Sequence, residues 1–342
     1  MKTNQNNSRR RNRGVLRPRG NQRINYNELG REKLEQAYAR GKGRHKHQDK
    51  IDGVSGLYIY MSVTKRQYIR HWRRFCLFLA RIHARYKSFE ELLLYLELYV
   101  QYMIEEGYSA WTIKSNVSAI AKIIPGAAGY VHTPARRSDD IRRSRRHGTA
   151  AYVGKMGKRY PHLILFCVCV GLRKYKELRF VRGSHLTKLR KGGYGICVPK
   201  GKGGRKRVAR IIGTEEETAI IVEMCRKAGD ELLFPKLPSG LDVHALRALY
   251  AGRAYWDYVR HHPETKETYA FRGTRTGLVC DRNAMRFTSR QLGHNRISVI
   301  ATSYLWTLEE AKSLDLRALV AAVRPMHGSG PAETAIMEWS AE

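Results

Sequence analysis

The chain holds 342 residues, enough for two compact domains with tails. Its 64 Lys+Arg against 30 Asp+Glu leave a formal charge of +34, which argues against a small neutral substrate as the main partner and for a polyanion, either nucleic acid or an anionic membrane surface. The sequence shows no apolar run of about 18 residues and no signal-type apolar block, so membrane spanning and secretion are not expected, and nucleic acid in a cytoplasm or nucleoid is the leading expectation.

Residues 1–50 carry 15 Lys+Arg and four acidic residues, 15 − 4 = +11, among Asn, Gly and Gln with few large apolar side chains. Such a stretch buries too little surface to offset its ordering entropy, so 1–59 is expected to be a flexible basic arm. From Val63 to Tyr86, the residues Tyr68, Trp72, Phe75, Leu79 and Ile82 recur at helical spacing, while Lys65, Arg66, Arg70, Arg73, Arg74 and Arg81 occupy much of the rest. That pattern predicts an amphipathic helix with a basic face. A second helix is predicted from Ser88, which forms a capping-box pattern with Glu91, through Leu92 to Ile104 and up to Gly107. A third is predicted from Ser109 to Ile124, with Ile113, Val117, Ile120 and Ile124 on one face and Pro125–Gly126 at its end. Residues 60–127 are thus expected to form a small all-helical domain.

The stretch 128–149 turns to Arg, Ser, Gly and His, with Arg136–Arg137 and Arg142–Arg143–Ser144–Arg145–Arg146, and reads as a basic interdomain linker near a phosphate backbone. In 150–325, the apolar run Leu163–Val170 fits a buried helix that Gly171 ends or bends. Tyr194–Val198 and Arg207–Ile212 read as two short strands around a Gly- and Lys-rich turn. The remainder is helical in pattern, interrupted at Pro235–Pro238 and across 261–283, and 326–342 reads as a C-terminal tail. The expected class is mainly α with a small β-sheet (α+β). The six cysteines form no C-x-x-C pair and are expected to be reduced, buried packing residues. The 13 histidines show no zinc spacing.

Four separated segments call for one explanation. They are Gly171–Leu172–Arg173 with Glu177–Leu178 on the next turn, and the hairpin turn Lys200–Gly201–Lys202–Gly203–Gly204–Arg205–Lys206–Arg207. Further on come His244–Ala245–Leu246–Arg247 and Leu292–Gly293–His294, with Tyr304 ten residues past that histidine (304 − 294 = 10). Taken in order, these resemble the catalytic signature of the tyrosine recombinase, or phage integrase, family: G-L-R, a hairpin lysine, H-x-x-R, L-G-H and a terminal tyrosine. None of the motifs is specific alone; their ordered co-occurrence behind a small helical domain is.

The residue types fit that chemistry on their own terms. Breaking a phosphodiester while conserving its bond energy requires a nucleophile that keeps the phosphorus, and a phenol oxygen does so as a phosphotyrosine ester. Tyrosine's reference pKa is about 10, so at neutral pH it needs help in losing its proton. Charge then grows on the non-bridging oxygens, and the forked guanidiniums of Arg173 and Arg247 suit them. His244 and His294 can donate to the phosphate or relay the tyrosine proton. The departing 5′ oxygen needs a proton, which a lysine on a mobile hairpin can deliver. The resemblance makes Lys202 that general acid, with Lys200 as the fallback. No metal, ATP or other cofactor is required in this scheme.

By the same resemblance, 60–127 is a SAM-like core-binding DNA domain and 150–325 a recombinase catalytic domain, and four protomers assemble on two double-stranded DNA sites through a Holliday junction. The family exchanges a C-terminal helix between protomers, here the capped apolar pattern from Thr307 and Glu310 to Pro325. Integration or excision of a mobile element, such as those of Gram-positive bacteria, is the implied use. Candidate DNA contacts are Lys65, Arg66, Arg70, Arg73, Arg74, Lys114, Arg136, Arg137, Lys200, Arg205 and Lys206. The chain departs from the family pattern in three places: position three past Arg173 is Lys176, with Glu177 at four; the His294–Tyr304 interval is one residue longer; and a polar stretch at 258–283 lengthens the Arg247–His294 interval. A type IB topoisomerase, a hairpin telomere resolvase, or a catalytically silent DNA-binding protein on the same fold are the alternatives.

Overall fold

A computed structural model of the chain describes residues 25–137, 140–141, 143, 146–201, 206–264, 267–272 and 275–323. The chain divides into two compact units, Met1–Arg137 and Ser138–Glu342. As expected, it is mainly helical with a small antiparallel sheet.

The first unit is built from α1 (Tyr26–Gly41), α2 (Lys46–Ile51), α3 (Ser62–Arg81), α4 (Leu96–Glu105), α5 (Ala110–Ile120) and α6 (Ala127–Tyr130). Residues 25–59 are therefore not part of a flexible arm. Asn25 caps α1 by accepting from the Glu28 amide, and the buried residues Tyr26, Gly30, Leu34, Ala37 and Gly41 form a stripe along it. Gly30 lets the Trp72 indole of α3 lie against the α1 backbone, where a Cβ would collide with the ring. The Ile59 amide then donates to the Ala37 carbonyl at 3.0 Å, tying the incoming chain to the same helix. The sequence-based reading failed here because a stripe of mostly small residues carries little apolar area of its own.

The basic amphipathic helix forms as α3, with Trp72, Phe75 and Leu79 fully buried on one side. It stops at Arg81, and His83 turns the chain with φ +51. The helix predicted from Ser88 starts as a 3-10 turn over Glu91–Tyr95 and becomes α-helical only at Leu96. Ser88 does accept from the Glu91 amide at 3.2 Å, whereas the Glu91 carboxylate accepts from Lys87 N at 2.6 Å rather than closing a capping box on Ser88. Ser109 caps α5 by accepting from Thr112 N. Asn116 on α5 is buried, and its Oδ1 accepts from the Tyr99 hydroxyl at 3.0 Å while its Nδ2 donates to Thr112 O at 2.8 Å, so a polar side chain is paired inside the apolar cluster.

The second unit contains α7 (Thr149–Gly157), α8 (Pro161–Val170), β1 (Leu186–Lys188), β2 (Tyr194–Val198), β3 (Arg207–Arg210), α9 (Glu215–Ala228), α10 (Val243–His261), β4 (Thr268–Ala270), β5 (Val279–Asp281), α11 (Arg282–Gln291), α12 (Ile297–Ser303), α13 (Leu308–Lys312) and α14 (Arg317–Val323). Every residue of α8 from Leu163 to Val170 is buried, as an all-round apolar helix must be. The strands pair antiparallel in the order β1-β2-β3, with Ile196 opposite Ala209 and Val198 opposite Arg207. The first of these strands was not foreseen. A separate hairpin, β4–β5, occupies the polar stretch where an insertion was expected.

One expectation for the C-terminal region changes. Glu310 does not close a capping box on Thr307. Its carboxylate accepts instead from Gly148 N, Ala150 N and the Thr149 hydroxyl, at 2.7–3.2 Å, and so caps the N-terminus of α7. The segment Leu308–Val323, expected to be exchanged between protomers, packs in this single chain onto its own unit. Leu319, Val320 and Val323 join the cluster around α8, and Leu319 fills the space left by Gly157. All six cysteines are buried and free, and no described helix is long and apolar enough to cross a membrane.

Candidate active site

Glycine sets up the first wall of the site. Gly171 ends α8 in the left-handed region, φ +67, where any Cβ would run into the Tyr250 ring. The turn exposes the Gly171 carbonyl, which accepts from Arg247 Nη1, and throws Arg173 toward the C-terminal end of α11. Arg247 lies one turn into α10, 1% exposed, beyond an N-terminus capped by Asp242.

Gly293 builds the second wall. It too is left-handed, φ +68, and a Cβ there would sit 2.8 Å from Arg207 Nε and 3.3 Å from Arg173 Nη1. Without that Cβ, guanidiniums gather on the last carbonyls of α11. Arg173 Nη2 donates to Leu292 O at 2.9 Å and Gly293 O at 3.3 Å, Arg247 Nη2 to Leu292 O at 3.1 Å, and Arg207 Nη1 to Gln291 O at 2.5 Å. A helix C-terminus carries partial negative charge, so cations are stabilised there.

Glu177 is the counter-charge. Its side chain is fully buried, and its two oxygens take Arg173 Nη1 at 2.5 Å, Arg173 N at 2.9 Å and Arg207 Nη2 at 2.7 Å, with Arg247 Nη1 at 4.0 Å. Burial pushes its carboxyl up, but Arg207 and then Arg173 outweigh burial and hold it below the usual carboxylate range. The one-residue displacement of this glutamate in sequence therefore still brings it to the arginines. Nε of Arg247 and Nε of Arg207 are buried and find no hydrogen-bond acceptor among the described residues.

The remaining predicted residues fall around this cluster. His294 follows Gly293 directly, its ring 5.7 Å from that of Tyr304, and the Arg247 guanidinium lies 5.7 Å from the centre of the Tyr304 ring. Tyr304 ends α12 and is 5% exposed. His244 sits at the exposed start of α10, one turn before Arg247. Desolvation, then the Arg247 charge, lowers its imidazole pKa and so favours the neutral ring, against the opposing pull of Asp242. Arg173, Arg247, His294 and Tyr304 are thus brought together, with His244 at the rim. Lys200, at the exposed end of β2, lines a cleft with Lys176 and Glu177, and Lys206 is exposed just before β3. Lys202 and Arg205 lie outside the described residues.

Sequence reasoning missed Arg207, the third guanidinium of the cluster. It stood in the quoted basic run, where nothing separates it from its neighbours; only its place on β3 opposite Val198 turns it inward. In the first unit, Arg66, Arg70 and Arg73 form an exposed stripe along α3. Lys65 and Arg74, partly buried, lie over the Tyr38 and Tyr108 rings at 5.0 Å each. Lys114 is partly buried on α5. Arg136 and Arg137 are exposed, Arg136 lying over Trp111 at 5.0 Å.

No protein-family model and no curated protein sequence matches the chain. It is similar to a solved structure described as that of XerA recombinase, at 15% identity, with 87% of this chain and 100% of that one covered. The TM-score is 0.29.

Proposed function

We propose that the chain is a DNA strand-transfer enzyme of the tyrosine recombinase type. The observation that carries this reading is the convergence of Arg173, Arg247, His294 and Tyr304, drawn from four distant segments, onto one cluster balanced by a single buried carboxylate. Arg247 and Arg207 each retain a buried N–H with no hydrogen-bond acceptor among the described residues, which suits a site made to receive oxyanions.

The Tyr304 oxygen attacks phosphorus, a new O–P bond forms, and the P–O5′ bond breaks. The phenol proton passes to a neighbouring base, His294 or water. The 5′ oxygen leaves with a proton from the hairpin lysine, Lys202 or else Lys200, and the DNA 3′ end remains joined as a phosphotyrosine ester. Attack on that ester by a 5′ hydroxyl of a second duplex reverses the chemistry on a new partner. Repeated in pairs within a tetramer on two sites, it passes through a Holliday junction and integrates or excises a mobile element. The exposed α3 stripe, Lys114, Arg136, Arg137 and the hairpin's basic residues serve as phosphate contacts, acting in the nucleoid.

A nicked duplex that traps the cleaved state tests the chemistry. The parent protein is expected to give an SDS-resistant adduct, and Tyr304→Phe to bind the same DNA equally well without forming one. An adduct that survives Tyr304→Phe rules out the nucleophile assignment.

A further inference from the structure

The helix that delivers Tyr304 is seven residues long, too short to hold its shape unaided, and its last carbonyls need partners from elsewhere. Two arginines supply them. Arg275, carried between β4 and β5, donates through Nη1 to Ala301 O at 2.7 Å and through Nη2 to Leu305 O at 2.6 Å, bracketing Tyr304 on both sides. Arg146, from the segment before α7, donates to Thr302 O at 3.2 Å and Ile141 O at 2.7 Å. Between them stands Trp306. Its indole lies 4.0 Å from the Arg146 guanidinium and 4.6 Å from that of Arg275, and its Nε1 donates to Thr302 O at 2.9 Å.

Arg275 is itself held in place. Its guanidinium lies 3.9 Å over the Phe271 ring, which is buried in the cluster containing Ile300, Tyr304 and Leu305. Asp281, ending β5, anchors the hairpin by accepting from Ala284 N at 2.7 Å, while its own amide donates to the Tyr255 hydroxyl at 2.8 Å. A cation at a helix C-terminus is favoured by the backbone dipoles, and a bidentate guanidinium fixes two carbonyls at once, which a lysine cannot do.

We propose that the β4–β5 hairpin and Arg146 form a clamp on the Tyr304 segment, and that Arg275 is a positioning residue controlling how often the tyrosine is presented to the arginine cluster. This assigns a role to the polar stretch that lengthens the chain between Arg247 and His294. It deepens the strand-transfer reading and rests on it for the catalytic consequence, while the clamp itself is measurable without DNA.

The full-length protein with Arg275→Ala and Arg275→Lys is compared with the parent by hydrogen exchange and by adduct formation on nicked DNA. Arg275→Ala is expected to raise exchange of the amides of 297–306 about tenfold, while α9 keeps its protection. Adduct formation at saturating DNA is expected to fall roughly 10- to 100-fold, with DNA affinity within about twofold of the parent. Arg275→Lys, able to reach one carbonyl, is expected to restore part of both. Unchanged exchange at 297–306 in Arg275→Ala overturns the clamp, as does a loss of protection spread evenly over α8, α9 and α10, which signals a folding defect instead. An adduct persisting in Tyr304→Phe removes the nucleophile assignment, and the exchange result still decides the clamp.

Discussion

At the scale of single residues, the site is governed by charge balance around Glu177. Three guanidiniums within 4.0 Å of one buried carboxylate repel each other, and the carboxylate offsets that repulsion in the absence of a phosphate. Glu177→Gln keeps the shape and removes the charge. Breaking a buried ion pair on one side costs about 3–5 kcal/mol, so chemical denaturation is expected to show a loss of that order. Saturating inorganic phosphate or DNA is expected to recover part of it, since an anion among the arginines replaces the missing charge. The pH dependence follows the same logic. The folded carboxyl sits below its ordinary value of 4.5, so its stabilisation is present above that pH and is lost as pH falls through the folded value. The Gln variant therefore has a shallower acid limb than the parent. A Gln variant as stable as the parent at neutral pH contradicts the charge-balancing role.

At the scale of elements, the α3–α5 contact gives the first unit a titrating seam. His71 is 8% exposed, with Nε2 3.1 Å from the Ser115 hydroxyl and 3.3 Å from Gln67 Nε2, and desolvation, aided by Arg74 and Arg70, pushes its pKa from 6.5 down to about 4. Its folded pKa lies below its unfolded one, so the unfolded chain binds the extra proton first. The His71 contribution to stability is constant above pH 6.5 and falls as pH drops from there to about 4, by as much as about 3 kcal/mol. His71→Gln, which stays neutral, is expected to flatten that slope in melts recorded between pH 4 and 7; an unchanged slope assigns the acid sensitivity elsewhere. Elements with strong local signals were legible in the sequence: α8 from its unbroken apolar run, α3 and α5 from period and cap, and the β2–β3 hairpin from its turn. Those made by complementarity were not. The buried stripe of α1 is mostly small residues matched to the Trp72 indole, β1 is three residues long, and Glu310 caps a helix 160 residues away. The site divides the same way. Arg173, Arg247, His294 and Tyr304 were readable because their motifs, taken in order, resemble the signature of a known family. Arg207, Arg146 and Arg275 bind mainly to backbone carbonyls or to a distant carboxylate, and such roles leave no motif.

At the scale of the whole molecule, the +34 charge acts through where the few acidic residues are used. Asp242 and Asp281 cap helices, Glu310 caps α7, Glu217 caps α9 and pairs with Arg253, and Glu177 sits among the arginines. With acids such as these committed to internal partners, surface cations such as Arg66, Arg70 and Arg73 make no ion pair among the described residues and stay available to phosphate. Affinity and catalysis are then separable. Each phosphate contact releases condensed counterions and contributes about 0.9 to the slope of log K against log salt, so replacing all three arginines with Gln is expected to lower the slope by about 2.7. Binding weakens on every duplex alike, because phosphate contacts carry no base information. On the proposed strand-transfer reading, which assigns the bond-making groups to the second unit, the rate of adduct formation on saturating nicked DNA is expected to stay within about twofold of the parent. Titrations at several salt concentrations beside single-turnover cleavage measure both. A slope equal to the parent's takes this face out of the DNA contacts, whereas a lower slope with an equally slowed adduct rate places α3 in the chemistry and overturns the separation of affinity from catalysis.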